Sequence, residues 1–292
     1  MTLDNFINQA WSDHATDSQA VAERLQQGLS LITENSQIPG VVQLATHVFG
    51  EHLGLWNDGI RFLEGLKKLS VFQPNTDSQA AVERSVATLK LAGKISSDLS
   101  SFGTTEQIRI YSSAAAALCG QNQVSQASEY FKRALELAQT GLAKNDPANR
   151  ALAVTGNNLA ATLEEKSSRS AEENQLMILA ALTGRKFWEI AGTWLNVERA
   201  EYRLCMSYLK AGQLPQALEH AQLCLEVIEQ NKAEPMEYFF GYEALALVEK
   251  ARSNGIGFEK AVEHAKKYFE LIENEGNKKW CKNSLEKLVA GK

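Results

Sequence analysis

The stretch Tyr208-Leu209-Lys210-Ala211-Gly212-Gln213-Leu214-Pro215-Gln216-Ala217-Leu218 decides how this chain is read. Apolar residues at three- and four-residue intervals run into it and out of it, so it joins two helices rather than two strands. Gly212 suits the left-handed residue that ends a helix, because a residue without a Cβ takes positive φ at no steric cost. Pro215 suits the first turn of the next helix, where no amide proton is needed. Five residues after the glycine comes the small Ala217. The segment Leu118-Cys119-Gly120-Gln121-Asn122-Gln123-Val124-Ser125-Gln126-Ala127 repeats the scheme with Asn122 in the cap position, and Phe131 and Ala134 follow at core spacing.

Outward from these turns the helical period persists almost everywhere, and alternating β-branched runs are nearly absent. Five prolines in 292 residues leave few positions that forbid helix. The pattern predicts an all-α chain of about fourteen helices, near 3–14, 18–35, 38–53, 56–69, 78–98, 104–120, 124–144, 148–166, 171–190, 194–211, 214–231, 235–253, 258–274 and 277–290. A small-residue step recurs inside them at Ala114-Ala115, Leu159-Ala160, Leu204-Cys205 and Leu245-Ala246, at spacings of 45, 45 and 41. Antiparallel helix pairs at a near-constant period, with small residues where helices must approach closely, describe an α-solenoid. Such a fold grows by stacking, so the length does not require two domains.

Leu204-Cys205, Tyr208, Gly212, Ala217 and Leu225 resemble the tetratricopeptide repeat family, as do Ala114-Ala115, Ala127, Phe131 and Ala134. Leu159-Ala160 and Leu245-Ala246 match in the first helix of a pair, and the set Gly54, Trp56, Gly59, Leu63 and Leu66 resembles one more repeat. The resemblance covers roughly residues 38–274. A period near 45 exceeds the family's usual 34 or so and matches longer-repeat members; HEAT and armadillo repeats have such a period but lack the Gly-then-Ala turn spacing. The resemblance implies a right-handed α-α superhelix, a TPR-like solenoid of about six helix pairs forming a single domain over 1–292. In it, 1–100 are less regular N-terminal helices, 104–274 the clearer repeats and 277–292 a polar-faced capping helix carrying Lys278, Lys279, Lys282 and Lys287.

Composition narrows the function classes. Hydrophobic residues make up 44% and charged residues 22%, which excludes intrinsic disorder. A net charge of −5 with no basic run argues against nucleic acid and anionic membrane as partners. The start, Met1-Thr2-Leu3-Asp4-Asn5-Phe6, lacks a secretory pattern, and the densest apolar segments are too short to span a bilayer, so a cytoplasmic location is expected. Cys119, Cys205, Cys224 and Cys281 form no C-x-x-C pair and read as free helix thiols.

Catalytic motifs are missing. Gly93-Lys94 and Gly291-Lys292 lack the rest of a phosphate loop, and no G-x-S-x-G elbow occurs. His47, Glu51 and His52 superficially resemble a metal helix, but zincin histidines stand four apart and these stand five apart, so ordinary helix histidines are expected. His220 and Cys224 share a helix face and read as packing. Glu164-Glu165 and Glu172-Glu173 read as a solvated helix end and an acidic first turn. Phe187-Trp188, Trp194 and Tyr238-Phe239-Phe240 with Tyr242 read as aromatics that lock neighbouring helices together. No enzyme, cofactor or metal is expected.

The resemblance implies that the first helix of each pair lines a concave groove, facing it just before the small-residue step. Asn157, Asn158, Arg199 and Arg203 fall there, with Tyr202 and Arg109 as auxiliaries. Asn amides can bond a peptide backbone, and an Arg guanidinium can grip a carboxylate with two bonds. The set is similar to part of the carboxylate clamp of some family members, although Ser112 and Ala116 stand where the clamp's lysine and second asparagine would fall. Alternatively, Arg199 and Arg203 pair with Glu198, Glu201 or a facing helix. The expected function is a non-catalytic scaffold or adaptor that binds a protein or peptide. The alternative is a regulatory sensor that closes on a small ligand or signalling peptide and acts through a separate effector.

Overall fold

The computed structural model describes residues 1–96 and 98–290. Ser97, inside the expected 78–98 helix, and Gly291-Lys292, at the end of the expected capping segment, lie outside the described residues. No strand occurs among the described residues, and the chain forms fourteen α-helices there. It divides into two compact units, one ending at Ala151 and the other beginning at Leu152.

The first unit holds α1 (Leu3–Asp13), α2 (Ser18–Gly28), α3 (Ile38–Thr46), α4 (Trp56–Leu66), α5 (Asp77–Ala92), α6 (Thr104–Gly120) and α7 (Val124–Ala138). Thr2 Oγ1 accepts from the Asn5 amide and Asp17 from the Ala20 amide, so α1 and α2 begin on side-chain caps. Phe6, Val21, Leu25, Ile38, Leu44, Val48, Leu63, Leu66, Val82 and Leu89 form one apolar core. The expected continuous helix over 18–35 is broken: α2 stops at Gly28, and two short 3-10 turns follow at Leu29–Leu31 and Asn35–Gln37. The expected 38–53 helix changes its ladder at its end, where His47–His52 form a π-helix.

The second unit contains most of α8 (Pro147–Glu164), in which the division falls, then α9 (Ala171–Ala191), α10 (Trp194–Lys210), α11 (Leu214–Asn231), α12 (Pro235–Ala251), α13 (Gly255–Glu270) and α14 (Glu275–Ala290). Consecutive helices pack on each other, and α12 also touches α10 and α14. The small-residue steps lie where helices meet: Ala114, Ala115, Ala160, Cys205 and Ala246 are all buried. At Gly156 the approach is closer still. A Cβ there would stand 2.5 Å from the Ala180 carbonyl oxygen and 2.6 Å from the Gly184 nitrogen, so α8 and α9 touch backbone to backbone.

The hairpin turns behave as their chemistry requires. Gly212 has φ of +73° and Asn122 +56°, and the amides of the next residues, Gln213 and Gln123, reach back to Tyr208 O and Leu118 O at 2.9 Å. Ser253, with φ of +59°, closes the α12–α13 turn the same way through Asn254 N to Glu249 O at 2.9 Å. Serine is an unusual left-handed residue. With no glycine or asparagine at that position, the expected helix start at 258 falls three residues after the observed one at Gly255.

Candidate functional site

In the second unit α8, α10 and α12 are tied to one another by polar side chains. Arg203 Nη1 on α10 donates to Glu164 Oε2 on α8, and Ser207 Oγ, one turn on, donates to Glu164 Oε1 at 2.6 Å. Arg199 clamps Glu237 on α12 with two donors, Nη2 at 2.6 Å to Oε1 and Nε at 3.4 Å to Oε2. Tyr202 donates to Glu243 on α12 at 3.3 Å. Each of these links joins helices with one helix between them, so the basic and acidic residues form rungs between successive first helices.

The carboxylates on these rungs are buried, which corrects one expectation: Glu164 is not a solvated helix end but 8% exposed. It is the last residue of α8, and Arg203 and Ser207 of α10 cover it. Burial raises its pKa against the pull of Arg203. Glu198, 1% exposed, accepts from Cys224 Sγ at 3.1 Å. Burial pushes its carboxyl up to about 8, with the negative charge of Glu237 adding to the shift and Arg199 opposing it. Glu201 shows the opposite balance. His220 at 2.6 Å and Arg185 hold its pKa below the usual value although burial resists. His220 and Cys224 therefore do pack, each against a buried glutamate. Glu173 caps α9 with Ser170, in line with an acidic first turn.

The candidate groove residues divide accordingly. Arg203 is largely covered by its ion pair, while the Arg199 side chain stays 54% exposed beside Glu237. Asn158 is exposed on α8 and accepts from Asn157 Nδ2 at 3.3 Å. Arg109 belongs to the first unit, where it and Arg84 share Glu106 at 2.6 and 2.8 Å. An aromatic run that starts at Tyr202, itself one of the groove candidates, extends through α12 to α14. The rings of Tyr202 and Phe240 are 6.1 Å apart, those of Phe240 and Trp280 4.8 Å apart, and Trp280 is 60% exposed. Trp280 falls within the expected capping helix 277–292, and nothing in a single helix's pattern distinguishes an apolar residue that faces its own unit from one that does not.

The first unit holds a second cluster. His14 at the end of α1 meets His47 and His52 of the π-helix, with ring centroids 4.6 to 5.0 Å apart. The Nε2 atoms of His47 and His52 lie 3.0 Å apart. This corrects the expectation drawn from the five-residue spacing. In an α-helix such positions diverge, but an i→i+5 ladder brings them nearly one above the other. Leu53 N bonds Val48 O at 3.1 Å in that pattern. The Glu51 carbonyl, displaced from regular helix, accepts from Gln121 Nε2 at 2.9 Å. Burial, and then the neighbouring His47, hold the His52 pKa down.

No protein-family model matches the sequence, and no curated protein matches it either. No helix among the described residues is long and apolar enough to cross a membrane.

Proposed function

We propose that this chain is a non-catalytic binding module of the helical-repeat class, in which a protein or peptide lies across α8, α10, α12 and α14. The aromatic run Tyr202–Phe240–Trp280 beside Arg199 is the observation that carries the reading. Tyrosine, tryptophan and arginine dominate binding energy at interfaces because they supply large, stiff contact area and directional donors. Glu237 already balances the charge of Arg199. The face therefore suits a segment with an apolar anchor for Phe240 and Trp280 and a backbone that Asn157 and Asn158 can bond, rather than one selected by charge alone.

Substitutions that test this must not unfold the rungs. Arg203→Ala would strand a buried carboxylate, so Asn158→Ala and Trp280→Ala, both on exposed side chains, are the better probes. Partners that co-purify with the native protein should be lost from the Asn158→Ala/Trp280→Ala variant, and a peptide mapped from one of them should bind the variant about tenfold or more weakly. Equal affinity of that peptide for both proteins would remove the face from the argument.

A further inference from the structure

Three of the chain's five histidines converge in the first unit, contributed by two elements more than thirty residues apart in sequence. Each offers a ring nitrogen, and these nitrogens all lie within 4.8 Å of one another. Their other contacts set which nitrogen is available. His14 Nδ1 lies 2.6 Å from the Trp11 carbonyl oxygen, which can only accept, so Nδ1 carries the proton and Nε2 presents a lone pair. His47 Nδ1 lies 2.8 Å from Glu51 Oε2, which leaves its Nε2 directed at His52 Nε2. Without an ion, a proton on one of those two Nε2 atoms must bridge them.

We infer that His14, His47 and His52 form a binding site for one divalent transition-metal ion of the zinc class, with Glu51 and the Trp11 carbonyl as the outer groups that orient the rings. Imidazole nitrogens select zinc-class ions over magnesium and calcium, which take oxygen ligands. At Zn–N distances near 2.0–2.1 Å, tetrahedral ligands stand roughly 3.3 Å apart, close to the separation already present between His47 and His52. The third ligand closes to that spacing by about 1.5 Å of ring movement at most, within the reach of a χ2 rotation. A carboxylate or carbonyl on the far nitrogen of a ligating histidine is the usual support of such sites, because it fixes the tautomer and raises the basicity of the ligand. Two of the three rings have that support. Trp11 packs against both His14 and His47 at 5.2 Å and limits how far they can swing. Three protein ligands leave a fourth position for water or an exogenous ligand.

The test uses full-length protein without a histidine tag, stripped by chelator and titrated with ZnCl2 by calorimetry, with CoCl2 in parallel for its visible spectrum. One Zn2+ per chain, a tetrahedral Co2+ spectrum and no binding of Mg2+ are expected. His14→Gln and His52→Gln should each weaken Zn2+ binding at least about tenfold, and Glu51→Gln by about 10- to 100-fold. His264→Gln, on an exposed residue of α13, should leave it unchanged. The titration of the unaltered protein decides the matter even if a variant folds poorly. Absence of stoichiometric Zn2+ binding, or binding that survives the His14→Gln/His47→Gln/His52→Gln variant with native circular dichroism, would overturn the inference.

Discussion

Arg203 and Glu164 join α10 to α8 by an ion pair that bridges 39 positions of sequence. Because Ser207 takes the other carboxylate oxygen, both oxygens of a nearly inaccessible group are satisfied by one helix. Removing one partner of such a pair strands the other, which typically costs about 3–5 kcal/mol, well above what the intact pair contributes. Arg203→Ala should therefore lower stability in urea unfolding by about that amount. Glu164→Gln added to it should restore a large part, since a neutral amide tolerates burial. If the single variant unfolds at the native midpoint, the rung has no energetic role.

Glu198 makes the stability of the protein depend on pH in a definite direction. Its folded carboxyl ionises near 8, against 4.5 for an ordinary glutamate. Between those values the folded chain keeps a proton that the unfolded chain has lost. The stabilisation is thus complete below the unfolded value, falls as pH rises and is gone above the folded one, at about 1.4 kcal/mol per pH unit of the window. Glu198→Gln should remove this slope. Urea midpoints of the two proteins at about pH 5 and about pH 8.5 would differ by much more at the higher value, in favour of glutamine.

All four cysteines are buried thiols. Burial raises the thiol pKa of Cys205 to about 12 and that of Cys281 to about 11, and Cys224 is raised as well, with Glu198 beside it adding to the effect. Since the thiolate is the reactive form, none of the four should react promptly with a disulfide reagent at neutral pH in the folded state, and all four should react in denaturant. Stoichiometric rapid labelling of the native protein would show that a helix opens more readily than its packing suggests.

Two helical glycines should respond oppositely to the same methyl group. Gly156→Ala forces a Cβ against the Ala180 carbonyl and the Gly184 nitrogen, which only a separation of α8 and α9 can relieve. A loss of about 1–3 kcal/mol is expected, as for other overpacked sites. Gly65→Ala, where a Cβ meets nothing within 4 Å, should instead gain up to about 1 kcal/mol from helix propensity. Paired thermal melts check both signs.

What could be read in the chain follows from the range of each interaction. Gly212 and Asn122 announced their turns because positive φ is a demand on a single residue, whereas Ser253 met the same demand without the usual residue type. Ala114, Cys205 and Ala246 marked the close approaches because only small side chains fit there. Arg199 and Arg203 were visible as a pair on one helix face, but their partners Glu237 and Glu164 lie 38 and 39 positions away, and two other glutamates stood nearer in sequence. Glu51 and the histidines on either side of it stand out in the sequence, but at a spacing that an α-helix would spread over two faces. The spacing rule applied to them assumes an α-helix, and the local change of ladder cannot be seen in the pattern of apolar residues.

That change of ladder acts as a phase shifter. Relative to a regular helix, the segment His47–His52 accommodates one residue more per turn. Forced into a regular α-helix with all its residues kept, the segment would rotate everything beyond it by about 100° about the axis. Glu51 and His52 would then face away from His14, and the Glu51 carbonyl would turn from Gln121. A regular helix of the same length would thus undo two separate contacts at once, so the irregular turn is what keeps α1, α6 and the end of the α3 segment in register.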